Sequence, residues 1–223
     1  MNQRLHNLYL QLQTTNIPKI LRNEIEIDTM IGKPIYGVTL QIDLSPEVKQ
    51  IIKIIQQQLI QIEPTLYLSP LEFAHISFNQ VVYWKGTYRS GQVKTWELVQ
   101  KEFITKFLAL NKMLNAFSIS FQPLLVFPAA IIWAAFDEND ELEKLREVFF
   151  AKLPFPPETP KRNHMIHTSL ARFKKKLTNP QKLLDFVSLQ KFDSTMKVSE
   201  IILRRENLYP SLETREIARI QLI

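Results

Sequence analysis

Residues 163–173 read NHMIHTSLARF, and the spacing inside that stretch sets the reading of the whole chain. In an extended strand alternate side chains share a face, so His167 and Ser169 point the same way from neighbouring pleats. An imidazole beside a hydroxyl is half of a phosphate site. The other half lies upstream in FAHISFN, residues 73–79, where His75 and Ser77 repeat the spacing inside another apolar, strand-like run. The two histidines are 92 residues apart (167 − 75). Two such strands lying side by side would set two imidazoles across one cleft, able to give one proton and take another, which is general acid and base work without a metal. H-x-[ST] is a short pattern, so the order of elements around it has to discriminate.

That order repeats. Ile35 to Ile42 is β-branched and alternating, which predicts a strand. Ser45 then serves as N-cap with Pro46 in the first turn, opening a helix whose face carries Val48, Ile51, Ile52, Ile55, Leu59 and Ile62 until Pro64 stops it. An extended segment follows and ends in Phe73 to Val82, with the first His/Ser pair. Later, Ala130 to Phe136 predicts a strand, Asn139 or Asp140 an N-cap, and Leu142, Leu145, Val148 and Phe149 a helix, before the strand of His167. Val38 to His75 spans 37 residues (75 − 38) and Trp133 to His167 spans 34 (167 − 133), which implies two structurally related halves, each giving one histidine to a shared cleft.

Between the halves, Trp96 to Leu114 reads as a helix, and Phe117, Ile119 and Phe121 alternate as a strand leading to Pro123 and Pro128. Beyond the second motif, Asn179 and Pro180 open a helix through Val187, and Val198 to Leu203 and Glu216 to Ile223 read as strands. Leu5, Leu8, Tyr9 and Leu12 recur at helical spacing. Residues 1–32 are therefore expected to form an N-terminal helical extension and residues 33–223 a single domain of class α+β, with two intimately packed lobes.

Composition narrows the function classes. The absence of cysteine excludes disulfides, thiolate nucleophiles and cysteine metal sites, and fits a reducing compartment. The N-terminus is too polar for a signal-peptide core, and the longest apolar run, Leu124 to Phe136, is shorter than a membrane span and broken by Pro128. The chain is thus read as cytoplasmic and free of membrane. A net charge of +6 favours anionic partners, and part of the excess lies beside the second motif in Arg172 and Lys174 to Lys176.

With both motifs on strands in matching halves, the sequence resembles the 2H phosphoesterase superfamily, which includes 2'-5' RNA ligase-like proteins and RNA 2',3'-cyclic phosphodiesterases. The likeness spans about residues 33 to 223. HTSLAR, residues 167–172, is similar to the family's second motif and its trailing arginine, and VSEIILRRENLY to the segment that follows it. Thr168 stands where the family has an apolar residue, and FNQVVYW lacks the Phe-Leu-Gly common after the first motif. The resemblance implies two pseudo-symmetric lobes of mainly antiparallel sheet, helices on the outer faces and a cleft between them. It implies an enzyme that needs no cofactor or metal and that hydrolyses, or reversibly ligates, 2',3'-cyclic or 2'-5' phosphodiesters of RNA ends or small phosphorylated nucleotides. In that reading His75 and His167 are catalytic, Ser77 and Ser169 bind the substrate phosphate, and the protein is a monomer.

Arg172 is a further candidate for substrate binding. It lies an odd number of residues from His167, so strict alternation turns it away from the cleft, and it lines the site only if the strand twists or ends there. His164 has the same parity and is read as structural. Tyr83, Trp84 and Tyr88 could stack on a base, although core packing or loop anchoring is the simpler account for at least two of them, and none is placed in the site. Two other function classes stand beside the enzyme: a non-catalytic module binding nucleotide or RNA phosphate, and a metal hydrolase with both histidines as ligands. The second lacks a third ligand at metal-binding spacing near either motif.

Overall fold

The fold follows from where the repeated strand, helix, strand units bury their apolar faces. The computed structural model describes residues 2–160 and 165–223, so His164 lies outside the described residues. Helix α1 (Gln3–Leu21) comes first, then strand β1 (Pro34–Asp43) and helix α2 (Pro46–Ile62). As the sequence predicts, the Ser45 hydroxyl caps α2 by accepting from the Val48 amide, 3.3 Å away. Strand β2 (Leu66–Leu68) and a 3-10 turn lead into β3 (His75–Val82), which carries the first motif. Helix α3 (Gly91–Ala109), strands β4 (Phe117–Phe127) and β5 (Ala130–Asp137), and helix α4 (Glu141–Lys152) precede β6 (Ile166–Phe173), which carries the second. Helix α5 (Pro180–Leu189) and strands β7 (Ser194–Val198), β8 (Glu200–Leu208) and β9 (Glu213–Gln221) finish the chain.

The strands form two antiparallel sheets, one of four in the order β3-β1-β8-β9 and one of five in the order β2-β6-β5-β4-β7. The class is α+β and the molecule is bilobal. Each motif strand neighbours the first strand of its own unit, β3 on β1 and β6 on β5. The helices do the opposite. Helix α2, which follows β1 of the four-stranded sheet, lies against β2 and β6 of the other sheet, where Gln56 donates to the Ser69 and Leu170 carbonyls. Helix α4, which follows β5 of the five-stranded sheet, packs on β3: Phe149 meets Phe78 edge to face at 5.1 Å and Phe107 of α3 at 6.0 Å. Apolar faces are thus buried across the lobes as well as within them, which makes the two sheets one folding unit.

Helix α1 packs on β4 and α5, with Leu5, Tyr9 and Ile20 buried. It runs well past the predicted Leu5 to Leu12, because Asn16 and Ile20 prolong its buried face. The Tyr9 hydroxyl sits at the end of β5 and β6, bonded to the Ala135 and Ile166 carbonyls and the Ile166 amide. Among the described residues no helix is long and apolar enough to cross a membrane.

Several boundaries differ from the sequence reading. Helix α3 begins at Gly91 and ends at Ala109, offset toward the N-terminus from the expected 96–114. The expected strand from Val198 to Leu203 is the end of β7 and the start of β8, which belong to different sheets. Asp140 holds the cap position of α4, but its carboxylate binds Asn2 and Arg4, and Asp137 accepts the Leu142 amide instead, at 2.7 Å.

Each motif strand contains an extra residue directly after its serine, and β3 has a second at Val81, between the Thr39–Gln80 and Val38–Val82 pairs. In β6, Ser169 pairs with Ile132 and Ala171 with Ile131, leaving Leu170 as a bulge; in β3, Ser77 pairs with Gln41 and Asn79 with Leu40, leaving Phe78. Both bulge carbonyls are reached by a helix side chain. Leu170 O accepts from Gln56 Nε2 of α2 at 2.9 Å and from the Ser69 amide, also at 2.9 Å, and Phe78 O from Arg146 Nε of α4 at 3.1 Å. Gln56→Leu keeps most of the volume and removes one donor from each of the Ser69 and Leu170 carbonyls, of which Leu170 keeps the Ser69 amide. Urea denaturation is expected to show a loss of about 1–2 kcal/mol; an unchanged midpoint would mean that the bulge does not need the side-chain amide.

Candidate active site

The bulges decide which side chains meet. Beyond Ser77 the extra residue reverses the alternation, so Asn79 turns into the core and Gln80 joins the face of His75 and Ser77. The same reversal in β6 brings Arg172 to the face of His167 and Ser169. Thus His75, Ser77 and Gln80 stand opposite His167, Ser169 and Arg172, all lining one cavity of about 250 Å³ where β3 and β6 meet. The structure therefore brings together all five candidate residues. Arg172 reaches the site through the bulge rather than by a twist or the end of the strand.

His75 is oriented by its own strand. Its Nδ1–H donates to the Phe73 carbonyl at 2.7 Å, which leaves Nε2 beside the Ser77 hydroxyl at 3.2 Å. Its register partner on β1 is Asp43, whose carboxylate is bound by the Arg204 guanidinium. Burial pushes the Asp43 carboxyl up, but the hydrogen bonds and charge of Arg204 outweigh it and hold the group below the usual range. His167 has the contrary environment. Burial, with the charges of His75, Arg172 and Arg146 adding to it, lowers its imidazole from 6.5 to about 4. It is neutral at pH 7.

Arg172 is held on one side only. Its Nη1 donates to Asp28 Oδ2 at 3.2 Å and to the Tyr209 hydroxyl at 2.7 Å, while its Nε is buried without a partner. Asp28 is itself fixed: its amide donates to the Phe173 carbonyl at 2.8 Å and its Oδ1 accepts from the Met30 amide at 3.0 Å. The segment carrying it links the lobes, because Glu26 N reaches Pro128 O and Gly32 N reaches Tyr209 O. Nothing in the sequence pattern marks Asp28, Gln80 or Tyr209 as part of the site. Only the equal three-residue step from Ser77 to Gln80 and from Ser169 to Arg172 hints at a shared role.

Of the seven buried side-chain N or O atoms without a partner among the described residues, five belong to residues lining this cavity: Ser69, Gln80, His167, Thr168 and Arg172. Such atoms are rare in folded proteins and collect where a ligand or water completes them. Among the described residues no three His, Asp or Glu side chains cluster as metal ligands do. Tyr88 is a loop anchor, its hydroxyl accepting from the Tyr83 amide at 2.7 Å, whereas Tyr83 and Trp84 line the cavity wall.

No protein-family model matches this sequence, and no curated protein does. Solved structures do match in three dimensions. The conserved protein of unknown function ATU0111 from Agrobacterium tumefaciens superposes with a TM-score of 0.59 at 11% identity, over 91% of this chain and 97% of its own. The protein TT0787 of Thermus thermophilus gives 0.56 at 15% identity, over 83% of this chain and 97% of its own. LigT of E. coli in its apo form gives 0.56 at 11% identity, over 85% of this chain and 98% of its own. The chain has the 2H phosphoesterase fold. Its two motif strands, β3 and β6, share one cavity between the lobes.

The low value of His167 has a consequence for stability. The unfolded chain binds this proton more readily than the folded one, so the imidazole costs nothing above about pH 6.5 and destabilises progressively as pH falls through about 4. Denaturation at pH 7 and pH 4 is expected to show wild type losing about 2–3 kcal/mol more than His167→Gln. NMR titration of the ring should find no midpoint above about pH 5.5.

Proposed function

We propose that the protein is a metal-independent phosphoesterase that opens 2',3'-cyclic or 2'-5' phosphodiesters of RNA ends or nucleotides by paired-histidine acid and base catalysis. The observation that carries this reading is the matched pair of bulged strands, which gathers two imidazoles, two hydroxyls and a half-free guanidinium around one cavity. LigT, which shares the fold, has been crystallised with 3'-AMP and with phosphate, and that supports a phosphorylated nucleotide as the occupant here.

The roles divide by environment. His167 enters neutral and takes the proton of the attacking water as its oxygen bonds to phosphorus. His75 directs its Nδ1–H at the Phe73 carbonyl and offers Nε2 to the cavity; it protonates the departing ribose oxygen as the P–O bond breaks. One water is consumed and a phosphomonoester is formed. Ser77, Ser169 and the free edge of Arg172 donate to the non-bridging oxygens, where transition-state charge collects.

Assays on cyclic mononucleotides, 2'-5' dinucleotides and cyclic-phosphate-ended RNA test this. His75→Ala and His167→Ala are each expected to lower kcat by about 10²–10⁴-fold without unfolding the protein. A wild type that binds nucleotide but converts none of these would instead be a binding module. The kcat/KM profile should be bell-shaped, its acid limb falling below about pH 5 because the base stays neutral down to about 4. Asp28→Asn keeps the shape of the carboxylate but removes the charge that aligns Arg172. It should raise KM several-fold with a smaller change in kcat, and Asp28→Glu should restore part of the affinity.

A further inference from the structure

One corner of the cavity is not used by that mechanism. Gly37 of β1 has no side chain, and the place a Cβ would occupy is bounded by Glu206 Oε2 at 3.2 Å and by the Trp84 Cβ at 3.5 Å. The Glu206 carboxylate and the base of the Trp84 side chain therefore converge on one point of the sheet, and both residues line the cavity. Glu206 is only 5% exposed. Its Oε1 accepts from Gln41 Nε2 at 2.8 Å and from the Ser211 hydroxyl at 2.7 Å, whereas Oε2 is engaged by no donor among the described residues. Trp84 is backed by Tyr209, ring centroids 4.7 Å apart, and is covered outside by the exposed Lys85 ammonium, 4.8 Å from its centroid.

A carboxylate in a cavity otherwise furnished with imidazole, hydroxyl and guanidinium opposes a bare phosphate, since two anions repel strongly where water is excluded. The same group rewards a ligand that brings hydrogen-bond donors beside its phosphate. An aromatic face next to a free acceptor suits a flat ring carrying N–H groups on its edge.

We propose that this corner is a nucleobase subsite in which the base stacks on Trp84, displacing Lys85, and donates an exocyclic amino hydrogen to Glu206 Oε2. It rests on the nucleotide reading above and adds a base preference. A base with an amino group is accepted, and uracil is disfavoured because it turns a carbonyl oxygen toward the carboxylate. Cytosine and uracil are the sharpest comparison, being nearly equal in size and differing at that edge.

The experiment measures kcat/KM for 2',3'-cyclic CMP and cyclic UMP, and calorimetric binding of 3'-CMP and 3'-UMP, on wild type and Glu206→Gln, with thermal melts to confirm folding. Wild type is expected to favour cytosine by about tenfold, the worth of one base contact. In Glu206→Gln the amide oxygen keeps the Gln41 and Ser211 bonds and the NH2 turns to the base, so the preference for cytosine should be lost or turn toward uracil, and Trp84→Leu should weaken both ligands together. Equal handling of the two bases by wild type, or an equal loss on both in Glu206→Gln, would reduce Glu206 to a support for Gln41 and Ser211 and overturn the subsite. Selective binding of cytosine without turnover would uphold the subsite and sink the hydrolase reading. Turnover without selectivity would do the reverse, and failure to bind either nucleotide would sink both.

Discussion

A carbonyl turned out of a sheet ladder must find another donor, and in this protein two such carbonyls fix the site. An unmet buried carbonyl costs on the order of 1–3 kcal/mol, so the bulge at Phe78 depends on Arg146, and the one at Leu170 on Gln56 together with the Ser69 amide. Those donors sit on α4 and α2, each packed on the sheet that does not supply the strand before it. The crossing of helices between the lobes and the reversal of alternation in the motif strands are therefore one constraint. Had α4 stayed with the sheet it leaves, the Phe78 carbonyl would lose Arg146, and without α2 Leu170 would keep only the Ser69 amide. A regular strand in place of either bulge would point Gln80 or Arg172 away from the cavity.

The electrostatics of the cavity follow from this packing. A guanidinium brought into a half-buried cleft has to be paired, and Asp28 and Tyr209 engage one nitrogen of Arg172 while its buried Nε keeps no partner. Burial pushes the Tyr209 hydroxyl up to about 12, so the phenol stays protonated and Arg172 is not fully neutralised by its holders. Burial keeps His167 neutral, and the charges of His75 and Arg172 add to it. In the proposed reaction Arg172 would thus serve twice, as a donor for an oxyanion and as one of the charges that keep a nearby imidazole neutral.

Period-two alternation was enough to find His75, Ser77, His167 and Ser169, because each His/Ser pair precedes its bulge and obeys a regular strand. It misplaced Arg172 because a bulge is invisible in local sequence: the donors to the Leu170 carbonyl are a glutamine 114 positions away and the Ser69 amide, itself far off in the chain. Gln80 was missed for the same reason. Asp28 carries no pattern at all; its role comes from a segment whose backbone bonds to Phe173 and, through Gly32, to Tyr209 at opposite lobes. Ser45 and Pro46 announced α2 correctly because capping is local, whereas Asp140 lost its capping role to Asp137 once Asn2 and Arg4 arrived from the other end of the chain. Val198 to Leu203 looked like one strand since apolar alternation does not register the change of sheet at Ser199.

The two halves match in backbone and differ where chemistry needs them to differ. A phosphodiester presents unlike oxygens to its two sides, one to be attacked around and one to leave, so identical imidazoles would serve it poorly. The shared frame sets both rings at one cavity, and their surroundings then diverge. His75 sits on a carbonyl beside a carboxylate, whereas His167 has a buried, unpartnered Nδ1 among positive groups. The residues three positions beyond each serine diverge in the same sense, a neutral amide at Gln80 and a cation at Arg172. Similarity of the halves supplies the geometry, and in the proposed reaction the few differences between them would set the direction of proton flow.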